Sequence, residues 1–125
     1  MGPLAPQLMA HLETMDGRDV LPELDGWAGD ALLILGTATC GACRRARQVL
    51  SVLSVEQLGG PNLRVIDVDA VHAMGLVHDW EIDHLPGLVL VRDGEPWAKV
   101  SARLEPGVLA AAIRAVRRGA ADPDL

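Results

Sequence analysis

The chain contains no phenylalanine and no tyrosine, and its only aromatic residues of the large kind are Trp27, Trp80 and Trp97. Platforms for stacking bases are therefore almost absent, which excludes the usual mode of single-stranded nucleic-acid binding. The core has to be built from Leu, Val, Ile, Ala and Met. Positive charge is also short: 11 Lys and Arg stand against 17 Asp and Glu, giving a net charge of −6 and a pI near 5.0. Such a surface repels a phosphate backbone. Apolar runs such as residues 31–35 fall far short of the roughly 20 residues that span a bilayer, so no membrane partner is expected. Residues 1–12 lack a positively charged start, a long apolar stretch and a small-residue cleavage site. No targeting segment is read there, and a cytoplasmic protein is expected. Only two cysteines occur, and in that compartment they are not a structural staple.

What is present describes one packed domain. The 125 residues are half apolar, enough for a core without metal or disulfide support. Leu8, Met9, Leu12 and Met15 recur at helical spacing and predict a short helix over residues 7–15, with another turn or two over 20–27. Residues 31–35, between Asp30 and Gly36, suit a strand buried on both faces. Ala42, Ala46, Val49, Leu50 and Leu53 then mark a helix ended by Gly59, Gly60 and Pro61. Strands are expected at 63–68, 87–91 and 97–100, with a tight hairpin turn at Asp93 and Gly94. A helix over 71–80 is expected to carry Val71, Met74, Val77 and Trp80 on one stripe. Pro106 opens a last helix whose apolar face is Val108, Leu109, Ala112, Ile113 and Val116, stopped by Gly119. Alternating strands and helices with a closing hairpin give an α/β fold with a mixed sheet.

Cys40-Gly41-Ala42-Cys43 falls where the first buried strand passes into a helix. The first turn of a helix has unpaired N–H groups and a positive dipole end, which together stabilise a thiolate. Cys40 is thus the expected nucleophile. Cys43, one turn on, can attack a mixed disulfide formed on Cys40 and release the reduced partner. Gly41 and Ala42 are small and leave the sulfurs approachable. Two other readings compete. Half a zinc site would need two more ligands, and His72 and His78, six apart on a helix, would face different sides. Two cysteines packed as small hydrophobes would not need the loop-to-helix junction.

From residue 31 to 119 the chain resembles the thioredoxin family. Thr-Cys-Gly-Ala-Cys after a strand, then Val-Ile-Asp-Val-Asp, then Leu-Pro-Gly before a strand, then Arg-Asp-Gly-Glu, occur in that family's order. The resemblance implies a thioredoxin-like domain over 30–119, a sheet of four to five strands flanked by helices. Residues 1–29 would be a helical or irregular extension packed on it, and 120–125 a frayed tail. It also implies a cis Leu85–Pro86 bond against the dithiol, with the Leu85 backbone pairing an extended substrate. Thr39, Gly41, Ala42, Leu85 and Pro86 would then form the substrate surface.

The departures from that family matter equally. Thr39 stands where a tryptophan normally precedes the first cysteine, and Ile34 where a buried aspartate helps move protons to and from the second thiol. Val65 replaces the lysine that pairs with that aspartate, and Gln48 the helix-kinking proline. Losing an expensive buried charge pair favours stability. It also removes an internal base, and general-base help is typically worth about 10² to 10⁴ in rate. Two modulators are candidates: His84, two residues before Pro86, and the cluster Arg44, Arg45 and Arg47, in which Arg44 is the first choice because it follows Cys43 directly. Asp67, Asp69, Asp79 and Asp83 read as caps and loop charges.

The expected activity is thiol–disulfide exchange through a mixed disulfide, weaker or more specialised than a general thioredoxin's. No bound cofactor and no metal are expected. The partners would be a protein disulfide or dithiol and an external reductant, such as a thioredoxin reductase or a glutathione system. The chain would be a monomer or weak dimer. The alternative is an accessory or chaperone protein, for example of the hydrogenase-maturation type, or a redox sensor that binds a client without turnover.

Overall fold

The computed structural model describes residues 12–123 and 125. Its centre is a five-stranded sheet in the order β1-β3-β2-β4-β5, with β1 at Leu12–Asp16, β2 at Asp30–Gly36, β3 at Leu63–Asp69, β4 at Gly87–Arg92 and β5 at Glu95–Lys99. The first three run parallel, and β4 and β5 are antiparallel additions beside β2. Every residue of β2 is buried, as befits a central strand in a parallel arrangement covered on both faces.

Side chains alternate across a strand, so β2 feeds two cores. Leu32 and Ile34 pack with Ala46, Val49 and Leu50 of α2 (Gly41–Ser51) and with Leu109, Ala110 and Ile113 of α4 (Pro106–Arg118). Ala31, Leu33 and Leu35 pack on the other face with Val20 and Leu24 of α1 (Val20–Leu24) and with Ala73 and Leu76. Asp93 (φ 52°) and Gly94 (φ 82°) both take the left-handed conformation at the β4–β5 turn, the geometry the pair predicts. No helix among the described residues is long and apolar enough to cross a membrane.

One buried acid ties the end of this architecture together. Asp30, at the start of β2, accepts from Arg92 Nε at 2.7 Å and from Arg117 Nε at 2.9 Å. Burial pushes its carboxyl up, but hydrogen bonds from Arg92 and then Arg117 outweigh this and hold it below the ordinary carboxylate range. Strand, hairpin and C-terminal helix are thereby pinned at one point.

Several expectations need correction. The helix foreseen over 7–15 is not formed where the structure describes it: Leu12–Asp16 is an edge strand pairing with β3, and residues 7–11 lie outside the described residues. Leu12 and Met15 point to opposite faces and meet different cores, which a three-residue spacing does in a strand as it would not in a helix. Residues 12–24 therefore belong to the sheet and core rather than to an added extension. The helix α2 ends at Ser51, not at Gly59. Beyond it the Gln57 side chain accepts from Ser54 N at 2.9 Å, and the turn so formed lets Leu53 and Leu58 both be buried.

The helix expected over 71–80 divides into a 3-10 turn (Ala70–His72) and α3 (Met74–Asp79). Its buried face is Ala70, Ala73 and Leu76, while Val71 and Met74 are 59 % and 61 % exposed. The Asp69 carboxylate accepts from Val71 N at 2.9 Å, which starts the 3-10 turn and rotates the foreseen stripe outward. In the tail, Asp122 N donates to Trp97 O at 2.6 Å, and Leu125 packs against the core on the α1 face.

Candidate active site

β2 stops at Gly36, and the chain turns through Thr37, Ala38 and Thr39 into Cys40, the N-cap of α2. Cys40 has extended backbone angles (φ −85°, ψ 116°), and its sulfur accepts from Cys43 N at 3.1 Å. A cap residue satisfies one of the donors that the first helical turn leaves open, so the sulfur sits where the helix favours negative charge. Cys40 and Cys43 are joined as a disulfide with Cα atoms 5.2 Å apart. The two sulfurs differ in access. Cys43 is fully buried, whereas Cys40 is half-buried and flanked by exposed Thr39, Gly41 and Ala42. A Cβ on Gly41 would meet nothing within 4 Å, so the residue after Cys40 faces open space.

The loop before β4 closes the other side. The Leu85–Pro86 peptide is cis, and the Leu85 carbonyl oxygen lies 4.0 Å from Cys40 Sγ. Leu85 and Pro86 are half-buried, and Leu85 brings this loop beside the Cys40 sulfur, next to exposed Thr39, Gly41 and Ala42. His84 stands apart from that grouping. Its side chain is 75 % exposed and its ring nitrogen Nε2 lies 3.8 Å from Asp83 Oδ1; it borders a separate cleft with Ile82 and Lys99. Of the two histidines weighed as zinc partners, His72 is 3.1 Å from Asp16 and His78 is 3.5 Å from Asp79.

Of the three arginines after Cys43, Arg44 and Arg45 are exposed. Arg47 is the one that turns inward. Its Nη1 pairs with Asp67 Oδ1 at 3.3 Å and its Nη2 reaches Thr37 O at 3.5 Å. Arg47, one full turn after Cys43, lies on the same helix face as that cysteine, whereas Arg44 points to solvent. Asp67, read from sequence as a cap or loop charge, is an internal strand residue facing α2. Gly36 was not singled out at all. A Cβ there would lie 2.7 Å from Cys43 Sγ and 2.9 Å from Cys43 Cβ, closer than any packed carbon sits. Gly36, Thr37, Arg47, Asp67, Thr14 and Asp16 line an open cleft of about 550 Å³. It lies at the carboxyl ends of the parallel strands, where open α/β sheets characteristically leave a crevice.

The positions that depart from the expected pattern are filled in apolar fashion. Ile34 and Val65 are 0 % and 1 % exposed and belong to the core beneath α2. Gln48 is exposed, and α2 runs unbroken from Gly41 to Ser51.

A mixed sheet with a two-cysteine bridge across the first turn of the helix that follows its central strand defines a thioredoxin-like domain with a dithiol–disulfide centre. The thioredoxin family model matches residues 28–115, and the chain belongs to that family. A comparison with curated protein sequences finds no match. Among solved structures, the chain is similar to a mutant thioredoxin from Halobacterium salinarum NRC-1, with 21 % identity and a TM-score of 0.64 over 87 % of this chain and 93 % of that one. Mitochondrial thioredoxin 3 from Saccharomyces cerevisiae in its oxidised form aligns with 17 % identity and a TM-score of 0.59, covering 76 % of this chain and 86 % of that one. The zinc-bound form of human ERp44 aligns with 19 % identity and a TM-score of 0.61; 83 % of this chain is covered but only 30 % of ERp44. At these identities the likeness bears on fold.

Proposed function

We infer that the chain is a thiol–disulfide oxidoreductase of narrower scope than a general thioredoxin. The observation that carries this reading is the asymmetry of the pair: Cys40 caps α2 at the surface beside Leu85 O, and Cys43 is sealed beneath it. In the reduced protein the Cys40 thiolate attacks one sulfur of a client disulfide, forming a mixed disulfide and expelling the other client sulfur as a thiolate. Cys43, deprotonated, then attacks Cys40 Sγ. The Cys40–Cys43 bond forms, the bond to the client breaks, and the client leaves as a dithiol with two electrons gained. An external reductant, a thioredoxin reductase or a glutathione system, returns the pair to the dithiol. The half-buried Leu85 and Pro86 beside the sulfur support a role in holding an extended client segment.

The narrower scope follows from Ile34 and Val65. Neither can accept a proton, so both half-reactions proceed without a buried carboxylate behind the second thiol. The experiment is reduction of insulin's disulfides with dithiothreitol as electron source, comparing the wild-type protein with Cys40→Ser. Turnover that is lost in the variant is expected. No turnover above the reagent blank in the wild type would refute the reading and favour client binding without catalysis.

A further inference from the structure

We propose that Arg47, held by Asp67, is the electrostatic partner of Cys43: it stabilises the resolving thiolate in place of an internal base. This rests on the oxidoreductase reading and assigns the proton-handling step within it. Cys43 is fully buried, and an apolar surrounding disfavours a thiolate. The resolving step cannot proceed without that thiolate, so something near the sulfur must offset burial.

Gly36 lies beside both the sulfur and the guanidinium. A Cβ on that residue would lie 2.7 Å from Cys43 Sγ and 3.7 Å from Arg47 Nη1, so the two groups are at most the sum of these, 6.4 Å, apart. A side chain at Gly36 would have to enter the space beside both groups. Arg47 is held in place from two sides, by Asp67 at 3.3 Å and by Thr37 O at 3.5 Å. The other charged groups around Cys43 are less suited. Arg44, on its own helix, is exposed. From β1, Asp16 is committed to Arg18 at 2.9 Å and to His72 at 3.1 Å. From β3, Asp69 caps Val71 N, and Asp67 is the counter-ion of Arg47, whose Nη2 also reaches Thr37 O. In the loop before β4, Asp83 and His84 are exposed and face each other; β2 contributes no charged group beyond Asp30 at its far end.

Cys43 does not itself line the open cleft formed by Gly36, Thr37, Arg47 and Asp67; the proton it gives up goes to solvent water. The thiolate left behind attacks Cys40 Sγ, and the departing client thiolate is protonated from solvent. No oxidant beyond the client disulfide is required. Arg47 does not exchange a proton in this scheme; it changes how readily Cys43 gives one up.

The test is stopped-flow reaction of the reduced protein with an aromatic disulfide, dithiobis(nitrobenzoate), across a range of pH. The first nitrothiolate leaves when Cys40 attacks and the second when Cys43 closes the ring. Arg47→Gln and Arg47→Met both remove the charge, Met keeping the packing of the stem. Each is expected to leave the first phase unchanged and to slow the second about tenfold at neutral pH. The midpoint of that second phase should move up by about one pH unit, the size expected when one nearby charge is lost at an intermediate effective dielectric. Arg47→Lys should restore most of the rate, which a purely structural role would not predict. An unchanged second phase in both neutral variants overturns this proposal and leaves the oxidoreductase reading standing. Release of only one nitrothiolate by the wild type overturns both.

Discussion

Gly36→Ala is the most exacting probe of how the sheet and the disulfide are fitted together. The added Cβ would sit 2.7 Å from Cys43 Sγ and 2.9 Å from Cys43 Cβ. Carbon and sulfur neighbours pack at about 3.5–4.0 Å, so either β2 or the first turn of α2 must retreat by roughly 1 Å. β2 is the central, wholly buried strand, bonded on both sides to β3 and β4, and it will not move. The helix end and its two sulfurs will. Overpacking of a tight site costs about 1–3 kcal/mol, and a misplacement near 1 Å of reacting atoms can cost about 10²-fold in rate. Two measurements check this: urea denaturation of the oxidised protein, and the rate at which Cys43 resolves a mixed disulfide on Cys40. A loss of about 2 kcal/mol and a strongly slowed second step are expected. Gly41→Ala is the matched control, since a Cβ there meets nothing. In the first turn of a helix it should be neutral or stabilise by up to about 1 kcal/mol. If Gly36→Ala were as stable and as fast as wild type, the close fit of strand against disulfide would be wrong.

Two further expectations concern stability. Asp30→Asn removes the charge that Arg92 and Arg117 share and should cost about 2 kcal/mol near neutral pH, below the usual figure for a fully buried pair because Arg92 is partly exposed. The Asp30 carboxyl is held below its ordinary value of 3.8 in the folded chain, so its contribution is fully present above that value and is lost as pH falls through the lower folded one. Wild type and Asp30→Asn should therefore converge in acid in equilibrium denaturation; a constant difference down to low pH would contradict the linkage. Ile34→Asp puts a carboxyl into a fully buried position packed against α2. The register sets Asp67 opposite, and the nearby cation, Arg47, is already paired with it, so a loss of at least about 3 kcal/mol is expected in thermal or urea unfolding. A neutral effect would mean that solvent reaches this part of the core.

The parts of the fold that were legible from sequence are those where one signal dominates. β2 is a short apolar run between a Gly-Asp pair and a glycine, and α2 follows with apolar residues at helical spacing. Asp93-Gly94 specifies its turn by the left-handed angles both residues adopt. The misread parts are those where spacing is ambiguous. Leu12 and Met15 fit a helix as well as an edge strand, and only the register with Val65 and Val68 decides. Val71 and Met74 mimic a buried stripe, yet the Asp69 cap begins the turn one residue earlier and Ala73 takes the interior. Gly17 leaves it room, since a Cβ there would lie 2.7 Å from the Ala73 Cβ. Long-range fits of this kind leave no periodic trace.

The site shows the same division. Cys40 and Cys43 were readable because four residues at a strand-to-helix junction carry their chemistry locally. Arg47 and Asp67 were not, since twenty residues separate them and each alone has an ordinary explanation as a surface charge. Only the folded chain makes them one unit, with Ile34 and Gly36 between the strand and the helix that hold them. That arrangement has an energetic logic. A charge pair sealed behind the central strand would bear the full desolvation cost of both ions. The Arg47–Asp67 pair, with side chains 23 % and 19 % exposed, sits at the margin of a solvent-filled cleft and bears much less. It still lies across Gly36 from Cys43. The consequence is a resolving thiol whose reactivity depends on a single cation and on bulk water, so its rate should fall with added salt more steeply than an internally based dithiol's would.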